Sequence, residues 1–261
     1  MPIKVRTTKS VKNHGIKVIV YGKAGVGKTS LLATAPNPII ISCESGLLSI
    51  ADNDIPYIEI GSIKDLHEAY QFLSDNDDYD TICLDSISEI AEILLSELKA
   101  TTKDPRQAYG ELADKMTKMI RLFRDIKNKN VVFVAKSSRL KDENGILMHN
   151  VSMPGNNLVQ NVPFFFDEVF HMTFMKGDDG KDYRVVLTAS GYNHEAKDRS
   201  GKLKAIEPPD LSYIFKKIQG EQSEESDKEI PEDFKEIEDE EDEVEGSPDS
   251  DSFESAPPDE F

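Results

Sequence analysis

At 261 residues, with 38% hydrophobic content, 12 Phe and 8 Tyr, the chain can bury a sizeable core as one large domain or two small ones. Its net charge of −18 lies entirely in residues 221–261, where 20 acidic residues face only Lys228 and Lys235, so the other 220 residues are neutral. Two cysteines, Cys43 and Cys83, both in apolar runs, exclude a disulfide framework, and no apolar run approaches the ~20 residues of a membrane helix.

Residues 1–15 carry Lys4, Arg6, Lys9 and Lys12 without periodicity and read as a basic arm with no signal peptide, which implies a cytoplasmic protein. The short β-branched run Ile16 to Tyr21 predicts a buried strand. Gly22-Lys23-Ala24-Gly25-Val26-Gly27-Lys28-Thr29 follows and fits G-x-x-x-x-G-K-[ST]. Each position has a physical task. The glycines let backbone N–H groups turn inward around phosphates, Lys28 reaches the β/γ-phosphates, and the Thr29 hydroxyl can hold Mg²⁺. Thr29-Ser30-Leu31-Leu32-Ala33 can open a helix, whose N-terminus favours an anion. Strand, glycine loop and helix therefore occur in the order that an ATP site with Mg²⁺ requires.

Pro36-Asn37-Pro38 punctuates the chain before a second buried strand, Ile39 to Cys43, which ends at Glu44. A third apolar stretch, Tyr57 to Ile60, precedes a helix over 62–74, with Ser62 and Asp65 placed as a capping box. Thr81 to Asp85 reads as a strand ending in a carboxylate, and Ser86 can cap a helix with apolar Ile87, Ile90, Ile93, Leu94 and Leu98. A polar connection, Lys99 to Gln107, leads to a long helix whose stripe from Tyr109 to Ile126 follows i, i+3, i+4, i+7 spacing.

Val131 to Ala135 predicts a fourth buried strand, followed by a polar loop from Lys136 to Asn157. Phe164 to Met175 and Tyr183 to Ser190 read as paired strands around the turn Lys176-Gly177-Asp178-Asp179-Gly180. Leu211 to Ile218 is a closing helix, and the acidic residues beyond Gly220 predict a disordered tail. The domain boundaries are thus an arm over 1–15, an α/β body over 16–219 and a tail over 220–261.

Strands alternating with helices imply a largely parallel sheet covered on both faces, with the ligand beyond the carboxyl ends of its strands. Lys28, Glu44, Asp85 and Lys136 converge on such ends. Asp85 is placed to hold Mg²⁺ beside Thr29, while the metal neutralises charge on the phosphates. Hydrolysis also needs a carboxylate to orient water, and the residue after Asp85 is Ser86, so Glu44 is the next strand-end acid.

At Glu44 the chain resembles the RecA-like ATPases, whose catalytic Glu ends the strand after the P-loop helix and whose metal-binding strand commonly ends in Asp-Ser. It is similar more narrowly to phage-encoded RecA-like P-loop ATPases of the single-strand annealing group. Cys43-Glu44-Ser45-Gly46, Asp85-Ser86, Tyr109-Gly110, Pro154-Gly155, Phe164 to Glu168 and Ala196-Lys197-Asp198-Arg199-Ser200-Gly201 carry that resemblance. It implies a RecA-like ATPase core that hydrolyses ATP, assembles as a homo-oligomeric ring or filament, binds single-stranded DNA and promotes annealing or recombination in a host cytoplasm. Lys197 and Arg199 would then reach across a subunit interface to the neighbour's γ-phosphate, a trans-acting charge that raises phosphoryl-transfer rates by about 10³ to 10⁵.

The same analogy directs the loops bearing Lys99, Lys103, Arg106, Arg139 and Lys141 toward DNA. Lys136 departs from the Gln or His usual at the sensor position. The tail, ending Pro257-Pro258-Asp259-Glu260-Phe261, resembles those of single-stranded-DNA-binding proteins, which implies recruitment of such a protein or another replication protein. Two alternatives stand beside this reading. One is a P-loop ATPase that loads or remodels replication partners through protein contacts. The other, a small-molecule kinase, is disfavoured because no arginine-rich lid is visible.

Overall fold

The computed structural model describes residues 14–44, 46–141, 144–221, 230–231 and 234–235. Its centre is a row of parallel strands: β1 (Lys17–Gly22), β2 (Pro38–Ser42), β3 (Tyr57–Glu59), β4 (Thr81–Asp85), β5 (Asn130–Lys141) and β7 (Glu168–Gly177). They lie in the order β7-β1-β5-β4-β2-β3, with β8 (Asp182–Leu187) and β10 (Ile206–Glu207) extending the β7 edge antiparallel. In this order β5 separates the strand that feeds the phosphate loop from the strand that ends in Asp85.

Continuous apolar runs build this centre because successive side chains point to opposite faces and both faces are covered. Ile19, Tyr21, Val131 and Phe133 face α2 (Ile63–Ser74), α3 (Ile87–Thr101) and α4 (Pro105–Arg124). Val18, Val20, Val132 and Val134 face α1 (Lys28–Leu32) and α6 (Leu211–Gln219). The helix starts follow local chemistry. The Ser62 hydroxyl accepts from the Asp65 N–H at 3.2 Å, Ser86 caps α3, and Asp104 caps α4 ahead of Pro105.

Four elements differ from the sequence-based expectation. The loop expected from Lys136 to Asn157 is mostly a hairpin: β5 continues to Lys141 and pairs antiparallel with β6 (Leu147–Ser152), from Lys136↔Ser152 to Lys141↔Leu147. Its polar residues carry no strand pattern, and main-chain pairing alone extends it. α3 runs to Thr101 and α4 begins at Pro105, so the polar connection shrinks to residues 102–104. The strand expected from Phe164 begins only at Glu168, because Val162–Phe165 forms a 3₁₀ turn containing Pro163 ahead of it, and the short α5 (Asn156–Asn161) precedes that turn. Within the segment expected to be disordered, β11 (Phe234–Lys235) pairs with β7 at Gly177 and Lys176. Phe234 meets the Tyr183 ring edge-on at 6.2 Å, which supplies the apolar contact that the surrounding acids hide in the sequence. Residues 1–13 of the basic arm, and the tail apart from the residues named above, lie outside the described residues.

Candidate functional site

β1 delivers the chain to Gly22, and the loop that follows depends on glycine at three positions. Gly25 and Gly27 take positive φ of 74° and 94°. At Gly22 an added Cβ would lie 2.4 Å from the Met172 carbonyl oxygen, so only glycine allows β1 to run that close to β7. Gly27 then caps α1, a single turn that presents Lys28, Thr29 and Ser30 at the loop. Lys28 Nζ donates to the carbonyls of Gly22 at 2.9 Å and Lys23 at 2.8 Å, so the ammonium sits over the loop it serves. Burial lowers its pKa, against the raising pull of Asp85 and Glu44.

Thr29 Oγ1 donates to Asp85 Oδ2 at 2.7 Å. That contact joins the start of α1 to the end of β4, across the intervening strand β5. Asp85 is buried, and desolvation pushes its carboxyl above the ordinary range, with the Thr29 hydroxyl opposing. A hydroxyl and a carboxylate side by side form an all-oxygen donor set of the kind Mg²⁺ takes. The residues present therefore fit the metal expected from the sequence, and bound there it would neutralise developing phosphate charge.

Glu44 stands one strand further out, just past β2. Ser86 Oγ donates to its Oε1 at 2.8 Å, and Lys136 Nζ approaches the same oxygen at 3.6 Å. Lys136 also donates to Glu89 Oε2 at 2.7 Å, a bond that holds its pKa above the ordinary lysine value. Its backbone N–H is fixed by Ser88 Oγ at 2.9 Å. Lys136 thus holds the carboxylate beyond β2 in place, linking the carboxyl ends of β2 and β4 to β5 at the point where its buried part stops. Neighbouring Cys43 is no nucleophile: burial pushes its thiol up to about 12.

The basic pair expected to act in trans lies away from its own phosphate loop. β9 (Lys197–Asp198) pairs with the beginning of β7, Val169↔Lys197 and Glu168↔Asp198, whereas the phosphate loop adjoins Met172. Lys197 Nζ donates to the carbonyls of Pro163 at 2.8 Å and Phe166 at 2.7 Å, and burial lowers its pKa. Both acceptors belong to its own chain. Arg199 pairs with Asp167 at 2.7 Å but keeps 59% of its side chain exposed. The residues expected to meet DNA fall on separate elements. Lys103 and Arg106 are exposed around the short α3–α4 connection, whereas Arg139 and Lys141 share one face of the β5–β6 hairpin.

Two features of the site have no sequence signal. Tyr21 stacks on His171 at 4.8 Å, His171 stacks on His149 at 5.0 Å, and the His194 ring meets His171 tilted, at 5.4 Å. The Tyr21 hydroxyl lies 3.1 Å from the His149 carbonyl and accepts from the Glu195 N–H at 3.1 Å. This stack fastens the hairpin and the segment around residue 194 to the strand that feeds the phosphate loop. Arg184, on β8, lies against Gly27. The histidines are 22 and 23 residues apart, and Arg184 is one arginine in a hairpin, so no spacing announces either.

A strand–glycine loop–helix unit at the carboxyl edge of a parallel sheet, with a Thr–Asp pair and a second strand-end carboxylate beside it, defines a P-loop nucleotide-binding protein. The chain belongs to the AAA domain family, whose model matches residues 14–200, from β1 through β9, and an AAA domain implies a nucleotide-binding ATPase. No curated protein matches the chain. Among the described residues no helix is long and apolar enough to cross a membrane.

Proposed function

We propose that this chain is a RecA-like ATPase that binds single-stranded DNA and promotes annealing or homologous recombination, as do the phage-encoded proteins it resembles. The observation that carries the ATPase part is the Glu44 carboxylate, held by Ser86 and Lys136 beside the Thr29–Asp85 pair. Glu44 orients the attacking water, Lys28 and the loop N–H groups hold the phosphates, and Thr29 with Asp85 hold Mg²⁺. Lys197 and the exposed Arg199 act in trans on a neighbouring subunit.

For DNA, the β5–β6 hairpin supports the reading. Its strand β5 carries Lys136 at the site and Arg139 and Lys141 beyond it, so a strand bound there senses the nucleotide through one continuous element. The test is the ATP turnover of the full chain with and without single-stranded DNA, with oligomer size measured in ATP. Stimulation together with assembly is expected. Turnover and size indifferent to DNA would replace this reading with that of a loader acting through protein contacts.

A further inference from the structure

The guanidinium of Arg184 has no acidic partner among the described residues. It projects from β8 opposite Phe174, its cross-strand neighbour, and lies over that ring at 5.5 Å. Its other face rests on the phosphate loop: a Cβ at Gly27 would meet Arg184 Cζ at 2.7 Å and Nε and Nη1 at 2.8 Å each. Those near-equal distances mean that the planar group lies flat on the Gly27 backbone. Its Nε is buried with no hydrogen-bond partner.

A cation sandwiched between a ring and a glycine, with its buried Nε–H unsatisfied, lacks a counter-charge among the described residues. Such an arrangement costs stability unless an anion completes it. Arginine is also the side chain whose planar fork matches phosphate oxygens in pairs. We infer that Arg184 is a nucleotide-contacting residue, which donates in cis to the phosphate chain held by the loop and acts with Lys28. This inference rests on the nucleotide-binding reading. It also gives Gly27 a second task, since any side chain there would displace the guanidinium.

The experiment is a titration of the full chain with a fluorescent ADP analogue and Mg²⁺, comparing the natural protein, Lys28→Ala and Arg184→Gln. Arg184→Gln is expected to raise Kd by about 10- to 100-fold, the loss of a charge-assisted hydrogen bond, and to flatten the salt dependence of binding. A folded Arg184→Gln protein that binds within twofold of the natural one, while Lys28→Ala fails, overturns the inference and leaves the nucleotide reading standing. No binding by the natural protein overturns both. If Arg184→Gln does not fold, Arg184→Lys carries the test. It retains the charge but not the planar fork, so a Kd raised about tenfold and an unchanged salt dependence are expected. A salt dependence that flattens in that folded, still cationic variant, or a Kd equal to the natural one, would assign Arg184 to loop packing and overturn the inference.

Discussion

Glu168 opens β7, is only 1% exposed, and faces Asp198 of β9, the strand that leads to Arg199. Burial, followed by the Asp198 charge, raises its carboxyl from 4.5 to about 8. The folded chain therefore keeps a proton that the unfolded chain gives up. The stability linked to that proton is fully present below pH 4.5, falls as pH rises, and is lost by about pH 8. At 1.36 kcal/mol per unit, holding the proton costs on the order of 4 kcal/mol at pH 7.5. Glu168→Gln needs no proton and can still donate to Asp198, but it buries an amide hydrogen without a partner, which costs about 1–3 kcal/mol. The net expectation is a gain of about 2 kcal/mol at pH 7.5, or roughly 4–8 °C in melting temperature. Near pH 5 the linkage cost is under about 1 kcal/mol, so there the variant should melt below the natural protein. Thermal denaturation followed by circular dichroism at pH 5, 6.5 and 8 reads the crossing. A difference in melting temperature that does not change with pH would refute the reasoning.

Two further substitutions probe the site. Glu44→Gln can still accept from Ser86 but loses the charge facing Lys136; ATP should bind while turnover falls about 10²- to 10⁴-fold, as separate binding and phosphate-release assays would register. Unchanged turnover would remove Glu44 from catalysis. Gly22→Ala places a methyl 2.4 Å from the Met172 carbonyl oxygen and forces β1 and β7 apart. It should cost about 1–3 kcal/mol, seen as a lower melting temperature with weaker nucleotide binding, whereas a melting temperature equal to that of the natural protein would show that the strands yield freely.

What can be read in the sequence is what short stretches of chain fix by themselves. The phosphate loop at residues 22–29 needs only backbone N–H groups, φ-permissive glycines and one lysine, all within eight residues. The buried strands carry their burial in their own composition, and that composition alone puts Glu44 and Asp85 at strand ends and Lys136 where the buried part of β5 stops. The strand order β7-β1-β5-β4-β2-β3 then brings those ends side by side, and Ser86 and Lys136 close on Glu44 across three strands.

Only the tertiary structure could decide the rest. The β5–β6 hairpin forms by main-chain pairing, which leaves no mark on side-chain hydrophobicity. Lys197 donates to the carbonyls of Pro163 and Phe166, more than 30 residues away, which its immediate neighbours in the chain do not announce. The histidine stack and Arg184 on Gly27 join residues far apart in the chain. An electrostatic or stacking contact depends on distance in space, and the sequence records distance only along the chain.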